Sequence, residues 1–226
     1  MVSEVAPDGS PVPVYLALPA GATPALIGSA IAARSTILEL GSGPGRMTGA
    51  LVELGHRITA VDDSPEMLAA NHSAAETILA DLFTLGLGRT FDVVLAASHL
   101  INSRDAQQRG DLLDVCGRHL APHGVVLIER YDPIWVADPE PSESLVGEVH
   151  IRFEPLEVGP GWFRGRVTYE LAGRSWVQDF DAGQVTDETF VEEAAAAGLR
   201  LSGWLDERRS WARLAAGQSD EGALLT

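Results

Sequence analysis

Short apolar runs alternate with amphipathic segments along the first 130 residues of the chain. Runs of four to ten mostly apolar residues, typical of strands covered on both faces, are Ile37–Leu40, Arg57–Asp62, Glu76–Asp81, Phe91–Ala97 and Leu120–Glu129. Segments with helical spacing lie before and between them, at Pro24–Ala33, Met47–Gly55, Pro65–Ala75 and Arg104–Leu120. This alternation predicts parallel βα units, with helices on both faces of one sheet.

The second half of the chain has a different pattern. Apolar and polar residues alternate strictly in three segments, Val149–Glu154, Phe163–Leu171 and Ser175–Phe180. Such alternation is typical of half-exposed antiparallel strands, so residues 136–183 are interpreted as an inserted β-lid. A helix over Thr186–Ala197 and a hairpin of Leu199–Leu205 with Ser210–Ala215 then close the sheet, and residues 217–226 are a predicted frayed tail. The proline-rich residues 1–24 are a predicted extended arm, followed by a short helix up to residue 33.

A glycine-rich turn follows the first predicted strand. Gly41, Gly43 and Gly45 stand at alternate positions, where they allow a sharp turn and a close approach to a ligand. A nicotinamide or flavin site needs G-x-G-x-x-G, but Arg46 occupies the place of its third glycine. A phosphate-binding P-loop is excluded because the chain contains no lysine. Glu39, inside the apolar strand, suits a cationic ligand better than a pyrophosphate.

Acidic residues end the next two predicted strands. Asp62 lies 21 residues after Gly41, where an acid is placed to bind the hydroxyls of a ribose. Ser64 and Pro65 predict the start of a helix directly after it. Asp81, followed by Leu82, ends the third strand. A reading in which Asp62 only caps the following helix stays open.

These segments, from about Ile37 to Tyr131, resemble the class I S-adenosylmethionine (SAM)-dependent methyltransferases. The resemblance implies an α/β, Rossmann-like fold: a single domain over residues 1–226 with a seven-stranded, mostly parallel sheet, an antiparallel last strand and the β-lid. It places the SAM-binding core at residues 34–135 and implies S-adenosylhomocysteine (SAH) as product. The residues that it assigns to the cofactor are Tyr15, Glu39, Gly41, Ser42, Gly43, Gly45, Arg46, Asp62, Asp63, Met67, Asp81, Leu82, Phe83, Ala97 and Ser98.

Residues after the fourth and fifth predicted strands are candidates for the methyl acceptor, because ligands bind at the carboxyl ends of such strands. His99 is the first candidate for a general base, with Tyr131 the second. Predicted acceptor contacts are His99, Asn102, Tyr131, Trp135, Arg152, Arg164 and Arg166. The six histidines have no metal-ligand spacing, so no metal is predicted.

Composition narrows the class of substrate. The net charge is −16 and the sixteen cationic residues, all arginine, are scattered, which disfavours nucleic acid. No apolar run is long enough to span a membrane, no signal peptide is visible, and the single Cys116 cannot form an internal disulfide. We therefore expect a cytoplasmic monomer or homodimer that methylates N or O of a small molecule. The alternatives are a macromolecular methyltransferase, other sulfonium chemistry, or a non-catalytic SAM-binding module.

Overall fold

The computed structural model describes residues 4–73 and 75–217, which form two β-sheets and the helices around them. The strands are β1 (Thr36–Leu40), β2 (Arg57–Asp62), β3 (Glu76–Leu79), β4 (Phe91–Ala96), β5 (Leu120–Glu129), β6 (Ser142–Val146), β7 (Val149–Gly159), β8 (Trp162–Leu171), β9 (Arg174–Gly183), β10 (Leu199–Trp204) and β11 (Trp211–Ala216). The central sheet has the order β10-β11-β5-β4-β1-β2-β3. β11 is the one strand of this sheet that runs in the opposite direction to the other six, so the predicted sheet is confirmed.

The helices are α1 (Val12–Ala17), α2 (Thr23–Ala30), α3 (Arg46–Glu53), α4 (Pro65–Ala70), α5 (Ala106–Arg118), α6 (Pro133–Ala137) and α7 (Asp187–Ala196). Side-chain caps start several of them; Ser64 Oγ, for example, accepts the Met67 N–H. Helix α4 ends five residues before the predicted Ala75. Asn71 Oδ1 accepts hydrogen bonds from the N–H and hydroxyl of Ser73, a local turn that competes with the helix.

The second sheet has the order β6-β7-β8-β9 and is antiparallel throughout. The sequence predicted three of its strands and missed β6, which precedes them within the predicted β-lid. Strand β6 is an exposed edge strand, so it lacks the apolar alternation by which the others were found. Helix α6 was also missed; it begins after Asp132, whose carboxylate accepts the Ile134 N–H.

The arm differs from its prediction, because residues 12–17 are helical rather than extended. Residues 4–12 form a compact loop closed by the Val12 N–H bond to the Glu4 carbonyl at 2.9 Å. This loop is attached to β9, where Glu4 pairs with Arg174 and the Gln178 amide donates to Ser10 Oγ at 2.9 Å. Val14 of α1 is fully buried in the core beneath the second sheet. The arm therefore bridges the two sheets.

A buried arginine joins the last elements of the chain. Arg130, directly after β5, is 1% exposed. Its guanidinium donates to the carbonyls of Val185 at 2.8 Å and Arg209 at 3.0 Å, and pairs with Asp187 at the start of α7. It also lies 4.4 Å from the centre of the Trp204 ring. One side chain thus joins three parts of the structure: the end of β5, the start of α7 and the turn between β10 and β11.

The sequence predicted no membrane-spanning segment, and the helices of the described residues can be compared with that prediction. None of their helices combines the length and hydropathy needed to cross a bilayer.

We expect Arg130→Met to lower the free energy of unfolding by about 3 kcal/mol or more, because it removes the donor to the buried Val185 carbonyl and the partly buried Arg209 carbonyl and breaks the pair with Asp187. Urea denaturation measures the change. The matched control is Arg166→Met, which breaks an exposed pair with Asp179 and should cost less than about 1 kcal/mol. Equal losses in the two variants would contradict the role assigned to Arg130.

Candidate functional site

A cavity of about 250 Å³ opens at the carboxyl end of the central sheet. It lies where the strand order reverses between β1 and β4, the place at which open α/β sheets bind ligands. Thirteen of the fifteen predicted cofactor residues line it; Gly45 and Asp81 do not. The arm contributes Ala6, Asp8, Ser10 and Tyr15 to the wall, and the first three were not predicted.

The glycine turn between β1 and α3 is closed by its own hydrogen bonds. The Gly41 and Ser42 N–H groups donate to the Val61 carbonyl at 2.9 and 3.0 Å, and the Gly45 N–H donates to Ser42. The Gly43 N–H donates to Asp62 at 2.7 Å. These amides are therefore already engaged and do not form a phosphate cradle, which disfavours a dinucleotide.

Gly45 has a packing role in place of the predicted ligand contact. Its φ is +89°, and a Cβ at this position would lie 2.4 Å from Oδ1 of Asn71. Glycine is needed there because α4's end approaches the turn closely. By contrast, Ser42 on the cavity wall has a buried hydroxyl without a hydrogen-bond partner among the described atoms. That hydroxyl is available to a ligand.

Asp62 is 8% exposed and fixes the shape of the cavity. One carboxylate oxygen accepts the Gly43 N–H, and the other accepts the Ser64 N–H at 2.9 Å. Burial raises the pKa of Asp62, and these two backbone hydrogen bonds oppose the rise. Asp63 and Asp8 line the same end, and burial followed by the charge of Asp8 raises the pKa of Asp63. The cavity therefore carries excess negative charge here.

Glu39 forms a second buried acid on the wall, at 2% exposure. Its carboxylate accepts a hydrogen bond from the Thr48 hydroxyl at 2.7 Å. Burial raises its pKa to about 7, against the opposing effects of Thr48 and Arg46. Arg46 is the one cation on the cavity wall, and it donates to the Pro19 carbonyl at 3.0 Å. The site is built for a cation better than for an anion.

The loop after β3 supplies an apolar wall. Leu82 and Phe83 line the cavity, as predicted. Asp81 is exposed and off the wall; its Oδ1 accepts the N–H groups of Phe83 and Thr84 at 2.7 and 3.3 Å. In this structure Asp81 thus stabilises the turn that presents Leu82 and Phe83, and the direct ligand contact stays a prediction.

Two consecutive residues after β4 adopt left-handed backbone geometry. Ser98 has φ +57° and His99 has φ +60°, which is uncommon for residues other than glycine and carries a strain cost. The Ser98 N–H donates to Glu129 at the end of β5, at 2.7 Å. This hydrogen bond holds the strained pair at the cavity, where Ser98 lines the wall. Glu129 was not predicted as a site residue.

The three predicted acceptor residues with rings come together. The His99 and Tyr131 rings are stacked, with centroids 3.8 Å apart, and Tyr131 contacts Trp135 at 5.0 Å. None of the three lines the cavity; they lie beside it, beneath the second sheet. Burial lowers the pKa of His99, while the charge of Glu129 opposes the change. His99 Nδ1 is buried and has no hydrogen-bond partner among the described atoms, so a neutral ring is available to accept a proton.

Four other predicted acceptor contacts are placed differently. Asn102 is 3% exposed, and both ends of its amide are engaged: it donates to the Gly183 carbonyl and accepts the Tyr131 N–H. It therefore ties the two sheets together. Arg152, Arg164 and Arg166 lie on the face of the second sheet opposite the buried Phe163 and Tyr169. Because adjacent strand residues point to opposite faces, these arginines face away from the cavity. This is a correction to the predicted acceptor contacts.

Comparison with known families now adds to the geometry. Residues 37–124 match the methyltransferase domain family. This match, together with the fold and the cavity, identifies residues 37–124 as a methyltransferase domain. The match covers β1 to the start of β5, and so includes the cavity. Solved structures of similar fold are described as bound to SAM and to SAH, and the cation-favouring cavity of this chain fits a sulfonium ligand.

Relatives of known name agree with the assignment. The chain is 32% identical over 104 residues to the cypemycin N-terminal methyltransferase of a Streptomyces species. That match covers 43% of this chain and 42% of the relative, so the chain matches less than half of that protein's length.

Solved structures extend the similarity to the whole fold. The CcbJ methyltransferase of Streptomyces caelestis aligns with a TM-score of 0.75 at 19% identity, over 96% of this chain and all of that one. The sugar N-methyltransferase KedS8 of a Streptoalloteichus species aligns at 0.72 and 24% identity, over 90% and 88% of the two chains. At these identities the likeness establishes the fold of this chain.

The raised pKa of Glu39 predicts a pH-dependent stability of the ligand-free protein. The folded state keeps a proton on Glu39 up to about pH 7, whereas the unfolded chain loses it near 4.5. Stability therefore falls as the pH rises through this window, by up to about 3 kcal/mol. Glu39→Gln stays neutral and still accepts the Thr48 hydroxyl, so it should not share this loss.

Urea denaturation of both proteins at a pH near 5 and near 8 measures the effect. We expect the variant to gain stability relative to the wild type at the higher pH. If the stability of the wild type differs from that of Glu39→Gln by the same amount at both pH values, the pKa of Glu39 is not raised.

Proposed function

We propose that the protein transfers the methyl group of SAM to the nitrogen of a small-molecule amine. The observation that carries the proposal is the acid-lined cavity at the switch point of the sheet, with a ring cluster beside it under the second sheet. Support for nitrogen comes from the relatives, which include a sugar N-methyltransferase, an amino pentose methyltransferase and an N-terminal methyltransferase. The charge of −16 supports a small acceptor over a nucleic acid.

SAM, when bound, supplies an electrophilic methyl group with a good leaving group. Asp62 and Asp63 are placed to bind ribose hydroxyls, Leu82 and Phe83 to contact the base, and Glu39 to balance the cofactor's positive charge. Ser98 and the rings beyond it then position the acceptor. Alignment of this kind can supply about 7–11 kcal/mol of the barrier reduction.

One proton must leave the acceptor for each methyl group received. A protonated amine has no free lone pair, so its nitrogen must lose a proton before it bonds to the methyl carbon. The proposed acceptor of that proton is His99, whose lowered pKa keeps it neutral at physiological pH. Water then takes the proton from the ring. General-base help of this kind is worth about 10²–10⁴-fold in rate.

Formation of SAH in the presence of amines tests the proposal. The enzyme should produce SAH and a methylated amine from amino sugars or other small amines, and not from the corresponding alcohols. SAM binding without turnover of any acceptor would favour the non-catalytic module. Methylation of RNA, DNA or protein instead would favour the macromolecular alternative.

Cofactor binding gives a direct test of the Asp62 assignment. We expect calorimetry to detect SAM and SAH binding by the wild type, and Asp62→Asn to weaken it tenfold or more. A charge-assisted hydrogen bond is worth about 1.5–3 kcal/mol. The control Asp179→Asn makes the same charge change on the outer face of the second sheet. If Asp62→Asn binds SAH as tightly as this control, the ribose role is wrong.

Substitutions in the ring cluster separate acceptor turnover from cofactor binding. His99→Ala and Trp135→Ala should leave SAM affinity within about threefold and impair turnover, because neither residue lines the cavity. If His99 is the base, its loss should cost about 10²-fold and remove an acid limb of the rate below pH 6.5, the ordinary pKa of histidine. Tyr131→Phe tests the hydroxyl alone. A smaller, pH-independent loss in His99→Ala would assign it to shaping the site.

A further inference from the structure

Glu129 is a carboxylate that the cofactor cavity does not account for. It ends β5 and is half-buried, and only Oε2 is engaged by the Ser98 N–H at 2.7 Å. The carboxylate is close enough to His99 and Tyr131 to raise the pKa of both, alongside the larger effects of burial. It therefore lies between the wall residue Ser98 and the rings beside the cavity.

Three separate elements contribute a tyrosine to the ring cluster that contains Tyr131. Tyr131 follows β5, Tyr15 belongs to α1 and Tyr169 to β8, and these are all the tyrosines in the chain. Tyr15 and Tyr169 meet edge to face with centroids 6.4 Å apart. Besides burial, Tyr15 raises the pKa of both Tyr131 and Tyr169. The three tyrosines therefore belong to one cluster of rings, and ring faces can attract a cation.

Glu129 forms no salt bridge with any residue that the structure describes. The three arginines of β7 and β8 face the opposite side of the second sheet, so they do not neutralise Glu129. Arg46 is the nearby cation that lowers the pKa of His99, and its guanidinium is held by the Pro19 carbonyl across the cofactor cavity. A carboxylate beside aromatic faces and without its own arginine favours a positively charged ligand.

We infer that Glu129, together with Tyr15, Tyr131 and Tyr169, forms an acceptor subsite that selects molecules arriving as ammonium ions. The inference rests on the proposed function and makes it specific. Glu129 selects the charge of the acceptor, and the Tyr15 and Tyr131 hydroxyls can donate to oxygen atoms near the amine, whereas the Tyr169 hydroxyl donates to Gln178. A carboxylic acid or a neutral alcohol would lose the attraction of Glu129. Before methyl transfer, the ammonium ion loses a proton as already described. The neutral nitrogen then forms the bond to the methyl carbon.

A pair of probes that differ in charge alone tests the subsite. Choline and 3,3-dimethylbutan-1-ol have nearly the same shape, but only choline is a cation. We expect the protein saturated with SAH to bind choline about tenfold more tightly, as cation–π contact plus a carboxylate can supply about 1.4 kcal/mol. Ligand-observed NMR measures both affinities without any turnover.

Glu129→Gln should reduce this preference to about twofold or less, because its amide can still accept the Ser98 N–H while the charge is lost. The matched control Glu154→Gln makes the same change on the exposed outer face and should keep the preference. Unchanged SAH affinity in Glu129→Gln shows that the cofactor cavity is intact.

The outcomes separate the two proposals. If the wild type binds SAH normally but shows no preference for choline, or binds neither probe, the ammonium subsite is overturned and the methyltransferase proposal stands. A preference that survives in Glu129→Gln overturns the role of Glu129. If the wild type fails to bind SAH, the proposed function itself is wrong and the subsite falls with it.

Discussion

Two carboxylates, those of Glu39 and Asp62, are buried at the carboxyl end of the central sheet, and neither forms a salt bridge among the described residues. Glu39 has only a hydroxyl partner, and Asp62 has two backbone amides. Desolvation raises the pKa of both, so the ligand-free site stores unfavourable electrostatic free energy. A cationic ligand relieves it. The glycine turn and the start of α4 are both held by the hydrogen bonds that Asp62 accepts.

The arm and the second sheet link the cofactor cavity to the acceptor cluster. Tyr15 lines the cavity and also contacts Tyr169 on β8. Nearer the N-terminus of the arm, Ser10 is hydrogen-bonded to β9 and Glu4 forms a salt bridge with it. A change at the cavity wall therefore reaches the second sheet through a few direct contacts. Asn102 makes a second connection, because its amide joins the chain after β4 to the end of β9.

The sequence was sufficient for the parts of the site that are built locally. Strand, turn and helix follow each other within 37–70, so glycine spacing and the position of Asp62 located the cavity. Asp8 could not be found this way, because the arm reaches the wall only through contacts with β9, more than 160 residues away. Glu129 could not be found either, because the sequence shows it only as the end of a strand, and its role depends on the hydrogen bond that it accepts from Ser98.

Some errors had a signal in the sequence. Arg164 and Arg166 alternate with Phe163 and Val167, so their parity already placed them on the face opposite the apolar one. Asn102 was predicted as an acceptor contact, and the structure gives it a different role that depends on β9. The edge strand β6 shows the limit of pattern analysis, since a strand exposed on both faces need not alternate.

Strand β6 also has features that oppose pairing with a strand of another chain. It is the outer strand of a sheet that stands apart from the central one, and an outer strand presents free backbone groups that another chain can extend. Strand β6 is only five residues long, Pro141 precedes it, and Glu143 lies on it. Short length, proline and charge all oppose intermolecular strand pairing. Leu145, 71% exposed on this strand, is the weak point, and replacing Glu143 with an apolar β-branched residue should make the edge prone to ordered aggregation.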